Sequence, residues 1–586
     1  MTQSTEHNAP TSPEPTTRPP TGNPRTGAAL LVDCLAAVGV RTVFGVPGDT
    51  GVDLYQALAH QHEVRHVMAR DERHAATMAD AYARCSNSVG VVEVSSGGGA
   101  TFSIGGLGEA YAASVPVLVI SSDIHTGSRG TRALTEIDQE QLFAAVTKWR
   151  LRVDCAAQIP DAVREAVHHA TSGRPAPVAL IVPEDVLAAP TTATTRQARP
   201  TVPQHRPEPE PMHLAQLAAD LATAKRPVIV AGAGIHLSGA WAALASVAER
   251  AACPVATTIH GKGAYPEDGD WSLGVVGANG GRDYVNEYVA GSDLALLIGT
   301  RANATDTNSF HSPSRDAAAI YRVDIDPDAP PNYPKATTIT ADARAALQAL
   351  HGRLPEQATT VREHRAGQLA AHRRGWRERR DAPAVVSQGR LSALSVIRTL
   401  HESMPADTVI VADCGTPTPL LAADLDTHEA GRSILIARGH GPMGYAIPAA
   451  VGAALARPRC KVICITTDGS FTMACGELAT AAALRLDITF IQFTNGSFGW
   501  IKMLQHLYYG RRYFGVDLQP VDSVAAARSF GIQAERVDSL ARLAASVGHR
   551  DAPLYLDVPV PEQISEVPPV ASWHDALAGD AARPVY

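Results

Sequence analysis

The sequence predicts an α/β protein built from three doubly wound, mostly parallel-sheet domains. Three observations carry this reading. At 586 residues the chain is too long for one core, since domains hold roughly 100–200 residues each. Short apolar runs alternate with helical patterns along most of its length, and strands separated by helices need crossovers, which build parallel sheets. Two stretches of different composition divide the chain into three blocks of similar size.

Residues 1–26 are rich in Pro, Thr and Ser and lack the apolar core of a secretory signal, so they read as a disordered, cytoplasmic tail. In the first block, 27–189, strands are expected over 42–45, 89–94 and 117–121, with a helix over 71–84. The segment 190–211, PTTATTRQARPTVPQHRPEPEP, is too rich in Pro and too poor in apolar residues to form an element, and is a linker. The central block, 212–352, carries expected strands over 227–231, 254–258, 294–298 and 319–323. A charged segment follows over 353–389 and includes REHRAGQLAAHRRGWRERR. It reads as a linker with a solvated connecting helix, a commoner origin for an Arg run than an RNA contact. The third block, 390–565, has expected strands over 408–411, 462–466, 488–493 and 554–558, and 566–586 is a C-terminal tail. Ligands of such sheets bind at the carboxyl ends of the strands.

Composition excludes several classes. A net charge of −8 does not suit a nucleic-acid binder, whose affinity comes mainly from clustered Lys and Arg. The apolar runs stop well short of the ~20 residues a membrane helix needs. Eight scattered cysteines without CxxC spacing support neither a disulfide framework nor a zinc site. The protein is therefore expected in the cytoplasm, with neither a membrane nor a nucleic-acid partner.

The most informative stretch is KVICITTDGSFTMACGELATAAALRLDITFIQFTNGSFGW, residues 461–500. One apolar strand ends at Asp468-Gly469-Ser470, a helix follows, and a second apolar strand ends at Thr494-Asn495. A carboxylate and an amide oxygen thus meet at neighbouring strand ends, a hard-oxygen pair suited to Mg²⁺ shared with phosphates. Gly469 admits close approach of a diphosphate, and the helix after it offers free N–H groups.

Here a family resemblance becomes specific. The stretch resembles the thiamine diphosphate motif of the acetolactate synthase and pyruvate oxidase family, GDG followed by NN, and Asn495 follows Asp468 by 27 residues. Thr467 and Thr494 depart from that motif without removing a ligand. The resemblance implies that Asp468, Asn495 and the Ser497 carbonyl bind Mg²⁺, and it assigns Thr416, Gly441, Met443, Asp468, Gly469, Ser470, Asn495 and Gly499 to the cofactor. The run GHGPMGYAIPAAVGA is similar to the family's GxGxMGxxxPAAxGA. There Met443 falls on the Met that bends the cofactor into a V, and the Gly441 carbonyl falls on the acceptor for its 4′-amino group. Likewise RDERHAATMADAYAR resembles RHExxAAxMAxGYAR, which places Glu72 on the Glu that protonates the aminopyrimidine N1′. Without that match, a Glu in a DER triplet would read as a surface residue.

The resemblance further implies three domains, pyrimidine-binding, central and diphosphate-binding. It implies a homodimer or tetramer, with Glu72 of one subunit serving the metal site of its partner. The expected activity is decarboxylation of a 2-oxo acid, with pyruvate the expected donor, and carboligation of the enamine to a second carbonyl. A simple decarboxylase or a pyruvate oxidase would keep the same motifs. Departures gather where substrate is read: Asp71 beside Glu72, Phe102, Thr135, the pair Thr416-Pro417, and Met503-Leu504 in place of the Gln and acceptor-pocket Trp. The expected pocket therefore contains Phe102, Thr135, His440, Trp500 and Leu504, with His440 read first as a hydrogen-bonded structural His. AGAG at 231–234 and Gly299-Thr300-Arg301 are similar to flavin-holding positions, and the resemblance leaves FAD open. Two other classes fit less well. A non-catalytic regulator would show damage at Glu72, Asp468 or Asn495, and a nicotinamide dehydrogenase would need a third Gly and an acidic partner in the central block.

Overall fold

The structure is a computed structural model that describes residues 25–195, 205–317, 319–380, 390–550, 552–579 and 583. The tail expected over 1–26, the middle of the 190–211 linker, and the last part of 353–389 fall wholly or largely outside these residues. Among the described residues, eighteen strands form three six-stranded sheets, and every strand pair is parallel.

The first sheet holds β1 (Thr42–Gly45), β2 (Arg65–Met68), β3 (Gly90–Val94), β4 (Val117–Asp123), β5 (Trp149–Arg152) and β6 (Val178–Pro183), in the order β2-β1-β3-β4-β6-β5. The central sheet holds β7 (Pro227–Ala231), β8 (Val255–Thr257), β9 (Ser272–Val275), β10 (Leu294–Ile298), β11 (Ala319–Asp324) and β12 (Thr337–Thr340), ordered β12-β11-β10-β7-β8-β9. The third holds β13 (Val409–Ala412), β14 (Ile434–Ile436), β15 (Val462–Thr467), β16 (Ile488–Thr494), β17 (Gln533–Arg536) and β18 (Leu554–Pro559), ordered β14-β13-β15-β16-β18-β17. The first and third sheets thus share one topology, while the middle sheet has the dinucleotide-fold order.

The strands expected from apolar runs are present, with ends shifted by a residue or two. Six strands without such an expectation, β2, β5, β9, β12, β14 and β17, are the six sheet edges. Edge strands are short and need only one covered side, so RHVM, WRLR, TTIT and QAER carry weak apolar signals. The interior strand β6, VALIVP, was also unexpected although its run is wholly apolar.

The cores of the first and third domains are continuous. The helices Glu72–Ser86 and Ala446–Ala456 pack face to face, and their Ala-rich faces join one buried cluster with residues from both sheets. Gly452 makes this approach possible: a Cβ there would lie 2.2 Å from the Met78 carbonyl oxygen.

Two segments differ from expectation. Within 353–389 the helix Thr359–Arg380 is docked on the central domain rather than simply solvated. Leu369 enters the central core, and buried Arg365 donates to the carbonyls of Ala224, Ala251 and Ala252. Within 566–586, read as a tail, the helix Ala571–Ala578 buries Trp573 against Met503 and Val570. The preceding turn is held to the central domain by a Gly280 N–H bond to the Pro569 carbonyl. Lone apolar residues such as Trp573 give too short a pattern to announce such docking.

Candidate active site

The carboxyl ends of the third sheet open onto a cavity of about 250 Å³. In register, β15 and β16 pair Thr467 with Phe493, so Asp468 and Thr494-Asn495 leave the sheet side by side. Thr467 caps the helix Asp468–Ala474 by accepting from Ser470 N, which draws that helix's N-terminus to the cavity. Asp468 Oδ1 accepts from Gly469 N at 3.0 Å, and Oδ2 from Asn495 N at 3.1 Å and Gly496 N at 2.6 Å. Burial raises the Asp468 carboxyl above its ordinary range, and these N–H bonds oppose the rise. Asn495 Oδ1 in turn accepts from Ser497 N at 3.0 Å.

Across the cavity lie Gly441 and Met443, on the loop after β14. Gly441 has φ +77°, a left-handed conformation that favours glycine, and its carbonyl accepts from the Cys414 thiol at 3.3 Å. At Gly469 a Cβ would lie 2.7 Å from the Phe498 ring and 3.2 Å from Met443 Cε, so the glycine lets both side chains close on this turn. Thr416 accepts from Gln563 Nε2 at 2.9 Å. Thr416, Asn495, Ser497, Gly499 and Trp500 all line the cavity, and Ser470 is buried behind it.

No residue of the first domain lines this cavity. Glu72 begins its helix elsewhere, behind an N-cap in which Asp71 accepts from Arg73 N. A Cβ on Gly99 would lie 3.2 Å from Glu72 Oε1, so the turn opening the helix Gly98–Ala112 forms its seat. Glu72 is half-buried, and burial raises its carboxyl above the ordinary value, with the Asp71 charge adding to the rise. Near it, on β3, is the fully buried Glu93. The Tyr55 hydroxyl donates to one Glu93 oxygen, and a Ser122 hydrogen bond also favours the charged form. Burial pushes Glu93 up to about 8, against the Tyr55 hydrogen bond and with a contribution from the Glu72 charge.

Residues 25–142 match the thiamine pyrophosphate enzyme N-terminal TPP binding domain, 214–350 the central domain, and 413–557 the C-terminal TPP binding domain. The chain belongs to the thiamine pyrophosphate enzyme family. Relatives include a probable acetolactate synthase large subunit of Methanocaldococcus jannaschii, 33% identical with 88% of each chain covered. An acetolactate synthase of Mycobacterium bovis is 33% identical, with 84% of this chain and 80% of that one covered. The isozyme 3 large subunit of acetolactate synthase from Escherichia coli is 30% identical, covering 86% and 88%. The chain is thus a thiamine diphosphate-dependent enzyme of acetolactate synthase type, and no helix among its described residues is long and apolar enough to cross a membrane.

For this family member, the expected substrate pocket is only partly assembled in one chain. Trp500 lines the cavity, with its ring 4.4 Å from that of Trp573. Leu504 does not line it; the helix Gly499–Tyr508 turns Leu504 and Met503 toward the Trp573 cluster. His440 is exposed over Gly108 rather than seated in a buried hydrogen-bonded site. Phe102, 63% exposed, and Thr135, whose Oγ lies 2.6 Å from Ser96 Oγ, belong to the Glu72 side.

Sequence reasoning missed four buried groups around these half-sites: Glu93, Glu109, Asp413 and Gln563. Asp413 accepts from Tyr445 N at 2.8 Å, Ala446 N at 3.1 Å and Thr466 Oγ at 2.7 Å, anchoring the start of the helix Ala446–Ala456, and burial pushes it up to about 6. Its signal was available, a carboxylate directly after an apolar strand, as for Asp468. Gln563 lies in an irregular segment and carries no comparable signal.

Proposed function

We propose that the chain catalyses Mg²⁺-dependent decarboxylation of a 2-oxo acid such as pyruvate and joins the acyl unit to a second carbonyl, as a homo-oligomer whose sites combine two subunits. The observation that carries this reading is the separation of the two half-sites. Asn495, Gly441 and Met443 line one cavity, with Asp468 bonded to the Asn495 and Gly496 N–H groups beside it, while Glu72 sits in a first-domain seat outside the lining. A second copy of the chain would supply Glu72 to that cavity.

The donor chemistry fits Mg²⁺. Among the described residues no three His, Cys, Asp or Glu side chains are grouped so as to hold a metal ion; the oxygens here would come from one carboxylate, one amide and the Ser497 carbonyl, a hard set suited to a metal that keeps phosphate ligands. Around it, the helix N-terminus at Asp468 and the Thr416 hydroxyl suit a diphosphate. Bound thiamine diphosphate supplies the electron sink that decarboxylation requires. With the cofactor bound, the Glu72 carboxyl, raised by burial, would hold a proton toward its pyrimidine ring, the Gly441 carbonyl would accept from its amino group, and Met443 would pack against it. The rings of Phe498 and Trp500 line the cavity and would help to exclude water from it when it is filled.

A separate cavity of about 330 Å³ between the central and first domains runs along Gly234, Gly299, Arg301 and Arg322 and past Ser114 and Arg174, with the His260 Nε2 and Arg322 Nε buried and without a hydrogen-bond partner among the described residues. Closely approaching glycines and cationic side chains suit FAD, and a flavin absorption band in purified protein tests this. The activity is tested by incubating the protein with pyruvate, thiamine diphosphate and Mg²⁺ and a panel of aldehydes and 2-oxo acids, then identifying products by mass. Acetolactate or another ligation product is expected. Acetaldehyde alone would indicate a simple decarboxylase, and acetyl phosphate or peroxide an oxidase.

A further inference from the structure

One buried carboxylate reaches the cofactor-side loop from the first domain of the same chain. Glu109 lies on the helix Gly98–Ala112 and is fully buried. It accepts three consecutive main-chain N–H groups of the loop after β14: Gly439 N at 3.1 Å on Oε1, and His440 N at 2.7 Å and Gly441 N at 3.1 Å on Oε2. Successive N–H groups converging on one anion fix the peptide planes of a turn. The last of these residues is Gly441, whose φ of +77° puts it in a left-handed turn at the cavity wall.

Glu109 is itself held. Arg84 Nη2 donates to its Oε1 at 3.2 Å, and Arg84 also pairs with Asp80 at 2.9 Å. Asp80 accepts from the Tyr445 hydroxyl at 2.7 Å, two residues past Met443. The room for the clamp comes from small residues: a Cβ on Gly439 would lie 3.1 Å from Glu109 Oε1 and one on Gly108 3.4 Å from the His440 ring.

We propose that Glu109 is a positioning residue that sets the 439–441 turn and thereby aims the Gly441 carbonyl into the cavity. This rests on the reading above, in which that carbonyl accepts from the cofactor's 4′-amino group. Glu109 is not among the residues that line the cavity, so its effect would pass through the turn.

The test uses the full chain with Glu109→Gln, Glu109→Asp and Asp80→Asn. Glu109→Gln places an NH₂ against N–H donors, so amide hydrogen exchange over 439–441 in the cofactor-free protein should speed up. With thiamine diphosphate and Mg²⁺ bound, exchange of the cofactor C2 proton and kcat should fall by about 10- to 100-fold, while KM for the 2-oxo acid moves less than about threefold. Glu109→Asp keeps the charge and should recover part of the loss. Asp80→Asn loosens Arg84, one step behind Glu109, so it should lower Tm and change 439–441 exchange and C2 exchange clearly less than Glu109→Gln does.

Wild-type exchange in a folded Glu109 variant, or an equal loss in Asp80→Asn, would overturn the proposal. Failure of both Glu109 variants to fold would assign the residue to the core and overturn it as well. Glu72→Gln, measured alongside, separates the two readings: full activity there defeats the proposed function, whereas its inactivity beside a wild-type-like Glu109→Gln defeats only the clamp.

Discussion

The first and third domains have one sheet topology and opposite chemistry. In the first, the edge strand β2 leads into Glu72 and the helix Glu72–Ser86; in the third, the equivalent edge strand β14 leads through Gly441 and Met443 into the helix Ala446–Ala456. The central strand β3 ends in a Gly-rich turn that seats a carboxylate, whereas its counterpart β15 ends in the carboxylate itself, Asp468. Under the proposed function, the same fold presents a proton-holding group on one domain and metal- and phosphate-binding groups on the other. Fold alone does not fix the function of a strand end; the residues grafted there do.

Replacing Glu72 breaks this division of labour most severely. Glu72→Gln is expected to lower kcat by roughly 10²–10⁴-fold while leaving cofactor and Mg²⁺ affinity near wild type, measured by steady-state kinetics and titration. The equivalent loop should be more forgiving. Met443→Ala removes packing rather than a proton site, so a loss of about tenfold in kcat/KM is expected, readable in the same assays.

Much of this contrast was legible in the sequence. The interior strands that end at Asp468 and Asn495 are apolar and long enough to stand out, and the motifs around Glu72, Met443 and Asp468 fall on long matches. Polar, half-exposed edge strands such as RHVM, at the very strand end that leads to Glu72, left little pattern. Side-chain direction was also hidden: Leu504, four residues after Trp500, turns away from the cavity into the cluster of Trp573, which a distant segment supplies. Buried acids such as Glu93 and Glu109 looked like ordinary polar residues, because only the tertiary fold shows what covers them.

A further prediction sharpens the first domain's role through pH. Glu93 is raised from 4.5 to about 8 by burial, so its neutral form is the one the native state favours. Its contribution to stability is complete below the unfolded value, falls as pH rises between about 4.5 and about 8, and is flat above. Chemical unfolding across that range should show wild type losing on the order of a few kcal/mol relative to Glu93→Gln, in which the decline is absent. A constant difference with pH would contradict the assignment. The smallest effect concerns the seam between the domains. Gly452→Ala forces the helix pair apart at the Met78 carbonyl and should cost about 1–3 kcal/mol in denaturant unfolding.

The central claim, that Glu72 of one subunit works with Asp468 of another, has a direct test. Glu72→Gln and Asp468→Ala chains, each inactive alone, are unfolded, mixed in equal amounts, refolded and assayed. If sites form between subunits, each mixed dimer carries one intact site, and random mixing should restore about a quarter of wild-type activity. If each site forms within one chain, every site keeps a defect, and no recovery on mixing would contradict the account.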